Sequence, residues 1–243
     1  MKYKVGDRIN LLEDPHQWID NVPALYERDG FLEIKSIVQC CSKRNNCSSP
    51  DVKTEDCILN DFVYGFDRIY SLGKYIKGGP PYDFLSSHIR GLKDQKFENY
   101  SKPLGWGLYL FIQNKYPELL KADLIVPIPA HENKVKNRGF NQSELISNVF
   151  GEYSGIKSLN CLKQIKNTEL RDLTLTQRYE AVKGMFAFSE DHAFIIKNKH
   201  ILLIDDVVTS AATISECASI LKQRGAKRVD GLSLGRTKLD DNG

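Results

Sequence analysis

Asp205 and Asp206 stand side by side at the end of the apolar run Ile201-Leu202-Leu203-Ile204, and Val207-Val208-Thr209-Ser210-Ala211-Ala212-Thr213 follows at once. Four apolar residues without alternation suit a central parallel strand covered on both faces. Carboxylates at the carboxyl end of such a strand lie where open α/β sheets bind ligands. The acids can accept hydrogen bonds from a diol. A Thr/Ser-rich turn entering a helix offers hydroxyls, unpaired backbone N–H groups and the positive end of the dipole to a phosphate. Acids for a diol beside a cradle for a phosphate point to a ribose 5-phosphate. Taken singly, Thr209, Ser210 and Thr213 could be helix caps, and an acid pair could simply face water; their order after this strand favours a ligand site.

A second group with chemical potential follows Leu124-Ile125-Val126-Pro127-Ile128-Pro129, where Lys134, Lys136 and Arg138 form a basic loop. These cations suit a polyanion near a strand end, although two lysines alone would equally suit a solvated face. His131 reads as a surface loop residue rather than a general base. Four of the six cysteines, Cys40, Cys41, Cys47 and Cys57, crowd into one short polar stretch. They could supply a tetrahedral thiolate site for Zn²⁺ or remain free thiols. Their spacing, an adjacent pair and two singles, lacks the paired Cys-x-x-Cys knuckles. Cys161 and Cys217 fall on apolar faces and read as core.

Alternating strands and helices must position these residues. Phe66 to Leu72 predicts a strand, and Phe84, Leu85, His88, Ile89 and Leu92 a helix. Leu104, Leu108, Phe111 and Ile112 predict another, with Pro103 in its first turn and Pro117 ending it. The buried run 123–129 predicts a strand, and Leu145, Ile146, Val149 and Phe150 share one helix face. Asn141 with Glu144 predicts a capping box there. Segments 159–165 and 185–188 are strand candidates. Beyond the acids, Ile214, Cys217, Ala218 and Leu221 form a helical stripe that Gly225 closes, and Val229 to Leu234 is the next strand. Strand, helix, strand at that spacing implies a right-handed crossover in an open, mostly parallel sheet.

The chain has 243 residues, 41% apolar and 27% charged, which excludes a peptide-sized module and a disordered class. Residues 1–60 read as a small cysteine-containing attachment and 61–243 as the main α/β domain. With 34 Lys and Arg against 31 Asp and Glu, the net charge of +3 gives no bulk attraction to nucleic acid, so no direct nucleic-acid binding is expected and any anion site must be local. No apolar run of about 18 residues occurs, and no secretory leader precedes residue 8, so a cytoplasmic protein without a membrane role is expected.

The stretch Ile201 to Thr213 resembles the phosphoribosyl-pyrophosphate (PRPP) signature of type I phosphoribosyltransferases. Val126-Pro127-Ile128-Pro129 followed by Arg138-Gly139-Phe140-Asn141-Gln142 resembles the ComF family, competence-associated proteins with a phosphoribosyltransferase domain. Gly91-Leu92-Lys93, Arg178 with Phe186, and Ser233 to Arg236 extend the similarity, which spans about Asp61 to Arg236. Three positions depart from the family: Ala211 replaces the usual Gly of the phosphate loop, and Leu170 and Ala181 stand where Gln and Asn are usual.

The resemblance implies an α/β fold of the type I phosphoribosyltransferase kind. It implies ribose contacts by Asp205 and Asp206, phosphate contacts by the loop Thr209, Ser210, Ala211, Ala212 and Thr213, and catalytic participation of Arg178. Arg138 would neighbour the pyrophosphate. Mg²⁺ would arrive with PRPP, because pyrophosphate needs neutralising. The implied reaction is phosphoribosyl transfer from PRPP to an unidentified nitrogenous base, with pyrophosphate released. A rival expectation is a non-catalytic PRPP or nucleotide sensor that binds partners in DNA uptake or nucleotide metabolism. Relatives in that family carry an N-terminal zinc region, which implies Zn²⁺ at the four clustered cysteines.

Overall fold

The computed structural model describes residues 65–77, 83–170 and 173–237, together with the backbone of three short strands nearer the amino terminus. In chain order, β1 (Arg8–Asn10) pairs antiparallel with β2 (Phe31–Glu33), and β3 (Val38–Cys40) pairs antiparallel with β4 (Arg68–Lys74). Helices α1 (Phe84–Asp94) and α2 (Ser101–Lys115) lead to β5 (Leu124–Pro127). Next come α3 (Glu132–Arg138), α4 (Gln142–Ser154), β6 (Leu162–Gln164), α5 (Leu175–Val182) and β7 (Phe186–Phe188). The chain then forms α6 (Ala193–Ile196), β8 (His200–Val208), α7 (Ala212–Gln223) and β9 (Arg228–Arg236).

The main sheet has five strands in the order β3-β4-β9-β8-β5. β4, β9, β8 and β5 run parallel, so the open, mostly parallel α/β sheet predicted from sequence is the one observed. β8 explains its own place in it. Ile201 and Leu203 pack into one core with Ile214, Cys217 and Leu221 of α7, while Leu202 and Ile204 pack into the other with Leu108 and Phe111 of α2. All four are fully buried. Each stabilises the fold by about 1.5–3 kcal/mol relative to exposure, which is why positions 201–204 of this strand are apolar throughout. Burial of Cys161 and Cys217 confirms them as core. Burial pushes the Cys161 thiol up to about 12, leaving it protonated and unreactive.

Three local expectations are corrected. Residues 132–138 form a helix, not a loop: His131 Nδ1 accepts from Asn133 N at 3.2 Å at its start, and Gly139, at φ +96°, ends it. Asn141 caps α4, its Oδ1 accepting from Ser143 N at 3.1 Å, but Glu144 does not complete a capping box. The Glu144 carboxylate accepts instead from Asn160 Nδ2 at 2.6 Å. The strand candidates at 159–165 and 185–188 contract to three residues each. They pair antiparallel as a separate ribbon, β6 with β7, outside the main sheet.

Candidate functional site

The carboxyl ends of β5 and β8 open into a cleft of about 250 Å³. Asp205 and Asp206 lie at its floor, Lys93 of α1 and Lys134 and Arg138 of α3 contribute cations, and Ile128, Leu170, Met185 and Phe186 give it an apolar side. The site is therefore divided between acceptors for hydroxyls, donors for an anion, and a surface for a flat apolar group.

The acid pair is held by short contacts. Ser143 Oγ donates to Asp205 Oδ1 at 3.1 Å, and the Asp206 N–H reaches the same oxygen at 2.9 Å. Val207 N donates to Asp206 Oδ1 at 2.6 Å, and Lys93 Nζ lies 2.8 Å from Asp206 Oδ2. Burial pushes the Asp205 carboxyl up to about 7 and the neighbouring Asp206 charge adds to the rise, against the opposing pull of Lys93, the Asp206 N–H and Ser143. Burial also opposes the charge on Lys93, but Asp206 outweighs it and holds the ammonium above its ordinary value. Two adjacent carboxylates thus share the Lys93 cation, which is in direct contact with Asp206.

The segment after β8 turns sharply into α7. Ala211 is the residue before the helix and adopts φ +60° and ψ +7°, the left-handed region that disfavours a side chain. The glycine usual at this position in the resembling family would remove that cost. Ser210 Oγ lies 3.4 Å from Ala212 N, and Ser210 O accepts from the Tyr179 hydroxyl at 2.9 Å, which ties the turn to α5. Ala211 and Ala212 are buried beneath the loop, and Thr213 reaches the cleft.

Of the residues singled out from sequence, the structure brings Asp205, Asp206, Thr213 and Arg138 to one cleft, with Thr209, Ser210, Ala211 and Ala212 in the turn directly above the acids' strand. Leu170 lines the same cleft, whereas Ala181 sits within α5. Arg178 also lies on α5, its Nε donating to Leu173 O at 2.8 Å, and is not among the side chains that line the cleft. Cys40 ends β3; its side chain, with Cys41, Cys47 and Cys57, lies outside the described residues, as does any site they form. Among the described residues no group of His, Cys, Asp and Glu is arranged to hold a metal.

Lys93, Gln142 and Ser143 carry site geometry that residue spacing did not single out as a site. Gln142 and Ser143 stand inside the Arg138 to Gln142 signature and its helix start, so the capping residue Asn141 was the available signal for them. Lys93 joins the acids only through the tertiary fold.

Strand, acid pair, hydroxyl-bearing turn and helix in this order, on an open and mostly parallel sheet, give an α/β fold of the type I phosphoribosyltransferase kind. No protein-family model matches the chain. Curated relatives do: competence protein F of Haemophilus influenzae is 26% identical over 179 residues, 70% of this chain and 73% of the relative. The DNA utilization protein YhgH of Escherichia coli is 29% identical over 178 residues, 71% and 73% of the two chains. Competence protein ComFC of Streptococcus pneumoniae is 35% identical over 111 residues, 46% of this chain and 47% of that one. The chain is a homologue of these competence and DNA utilization proteins. Among solved structures it is similar to the glutamine PRPP amidotransferase from B. subtilis complexed with ADP and GMP, at 17% identity and a TM-score of 0.37, over 55% of this chain and 25% of that one.

Proposed function

We propose that the protein binds PRPP and transfers its phosphoribosyl group to a nitrogenous base, releasing pyrophosphate. The observation that carries this reading is the acid pair Asp205–Asp206 at the end of a buried parallel strand, opposite donors on α1, α3 and α4 in one cleft. Such a cleft accepts a ligand with vicinal hydroxyls at one side and a polyanion at the other. In the reaction, the bond from the anomeric carbon to the pyrophosphate oxygen breaks with its electron pair remaining on pyrophosphate. A nitrogen lone pair of the acceptor forms the new bond, and the acceptor's proton leaves to solvent. Positive charge grows on the ribose ring and negative charge on the leaving group, so catalysis rests on electrostatic complementarity and positioning.

Asp205 and Asp206 would orient the ribose hydroxyls, Arg138 and Lys134 would face the leaving group, and the turn Thr209–Thr213 would hold the 5-phosphate. Arg178, on α5 and outside the cleft lining, joins this reading through the family resemblance alone. The donor set fits a magnesium ion that arrives on the ligand's oxygens: among the described residues the cleft's carboxylates are the two acids, and Asp206 is already paired with Lys93. When bound, Mg²⁺ would neutralise the diphosphate. Zn²⁺ at Cys40, Cys41, Cys47 and Cys57 remains a separate proposal, tested by metal analysis of the purified chain: about one zinc per chain is expected, and a content near zero contradicts it.

A second reading is favoured by Ala211, whose left-handed backbone strains the phosphate turn. In it the protein senses PRPP or a nucleotide without turnover and acts through partners in DNA uptake; its relatives are named for competence and for DNA utilization. No helix among the described residues is long and apolar enough to cross a membrane. Buried free thiols at Cys161 and Cys217 suit the reducing cytoplasm to which either reading assigns the protein. The test common to both is the double substitution Asp205→Asn with Asp206→Asn. PRPP affinity should fall at least tenfold with the fold intact; unaltered affinity contradicts the ribose role.

A further inference from the structure

Three consecutive residues at the start of α4 line the cleft, and two of them are fully occupied. Asn141 donates from Nδ2 to Ile128 O at 3.0 Å and accepts at Oδ1 from Ser143 N at 3.1 Å. Ser143 donates to Asp205. Gln142 between them differs: it is only 4% exposed, yet its amide nitrogen has no hydrogen-bond partner. An amide donor buried without a partner costs free energy that a Leu of similar volume would not. That cost is offset when a ligand supplies the missing acceptor.

The surroundings say what kind of acceptor. Gln142 is the first residue of a thirteen-residue helix, where the dipole and the unpaired N–H groups favour negative charge. Lys134 and Arg138 line the same cleft on α3, immediately before it. Resting on the PRPP reading above, we propose that Gln142 is a specificity-determining residue that donates its amide N–H to an oxygen of the pyrophosphate group and so distinguishes a diphosphate ligand from a ribose monophosphate. The acids and the turn after β8 read the sugar and its 5-phosphate; Gln142 reads the leaving group.

The test is calorimetric titration of inorganic pyrophosphate with Mg²⁺ and, separately, of ribose 5-phosphate into the full chain and into Gln142→Leu and Gln142→Glu. For Gln142→Leu, pyrophosphate affinity should fall about tenfold, as for one hydrogen bond to a charged oxygen, while ribose 5-phosphate affinity stays within about twofold of the parent. Removing the unpaired donor should also leave the melting temperature of Gln142→Leu equal to or above that of the parent. Gln142→Glu, equal in size but repelling an anion, should weaken pyrophosphate further. Parent and Gln142→Leu binding pyrophosphate equally would overturn the proposal while leaving the PRPP reading in place. A parent chain that binds neither ligand would overturn the PRPP reading and the proposal with it. If Gln142→Leu fails to fold, as judged by circular dichroism, Gln142→Glu decides between these outcomes.

Discussion

Ala211 holds a methyl group at φ +60°, at a turn that the proposed phosphate must approach closely. The left-handed region costs an L-residue roughly 1–2 kcal/mol, partly offset in a glycine variant by the freer unfolded chain. Ala211→Gly should therefore stabilise the protein by about 0.5–1 kcal/mol in urea unfolding and should bind PRPP at least as tightly. A loss of stability would show that the methyl packs usefully against its buried neighbours. Asp205 gives a pH signature. Its folded carboxyl titrates at about 7 against 3.8 unfolded, so the folded state holds that proton more tightly and stability falls as pH rises from about 4 to about 7, levelling above. Asp205→Asn should remove that slope, gaining stability relative to the parent at pH 8 but not at pH 4; equal differences at both pH values would contradict the assignment. Lys93→Met takes from Asp206 its cation while leaving the Val207 N–H contact, and should destabilise by about 2–3 kcal/mol, a loss that adding Asp206→Asn largely restores. At this scale the acids were legible because they end an uninterrupted apolar run. Lys93 was not legible as their partner, because only the packing of α1 against the sheet brings it there.

Helix α4 places Ser143 and Gln142 over the acids, and its position is set by close contact with α2. A Cβ added at Gly105 of α2 would lie 2.7 Å from Val149 Cβ and 3.1 Å from the Ile146 carbonyl of α4. Neither atom is the end of a flexible chain. Gly105→Ala should push the helices apart, cost about 1–3 kcal/mol in denaturant unfolding, and weaken ligand binding through the displaced Ser143 contact. A variant as stable as the parent would show that the two helices slide freely. Elements with a wide apolar stripe, such as α1, α2, α4 and α7, could be read from spacing alone. Helix α3 could not: between its His131 start and Gly139 end, Val135 is the only apolar residue, so no periodicity marks it. Helix α5 had a local signal that apolar spacing passes over. Thr174 and Gln177 form a reciprocal capping box, with Thr174 N to Gln177 Oε1 at 2.9 Å and Gln177 N to Thr174 Oγ1 at 3.4 Å.

Across the whole molecule, the crossover from β8 through α7 to β9 was readable because three strong elements follow one another. The strand order was not. β4 lies beside β9 and β5 beside β8, pairings between segments far apart in sequence that no local pattern encodes. Those pairings are what gather α1, α3 and the acid-bearing strand around one cleft in a chain whose net charge is only +3. The cations that the proposed anion would meet are consequently gathered locally, by the fold more than by the composition. Calorimetric titration of PRPP into the purified protein, with and without Mg²⁺, tests this most directly. Magnesium-dependent binding that is lost in the Asp205→Asn, Asp206→Asn variant is the predicted result. No binding in either condition, with the protein folded, would contradict the assignment of this cleft to PRPP.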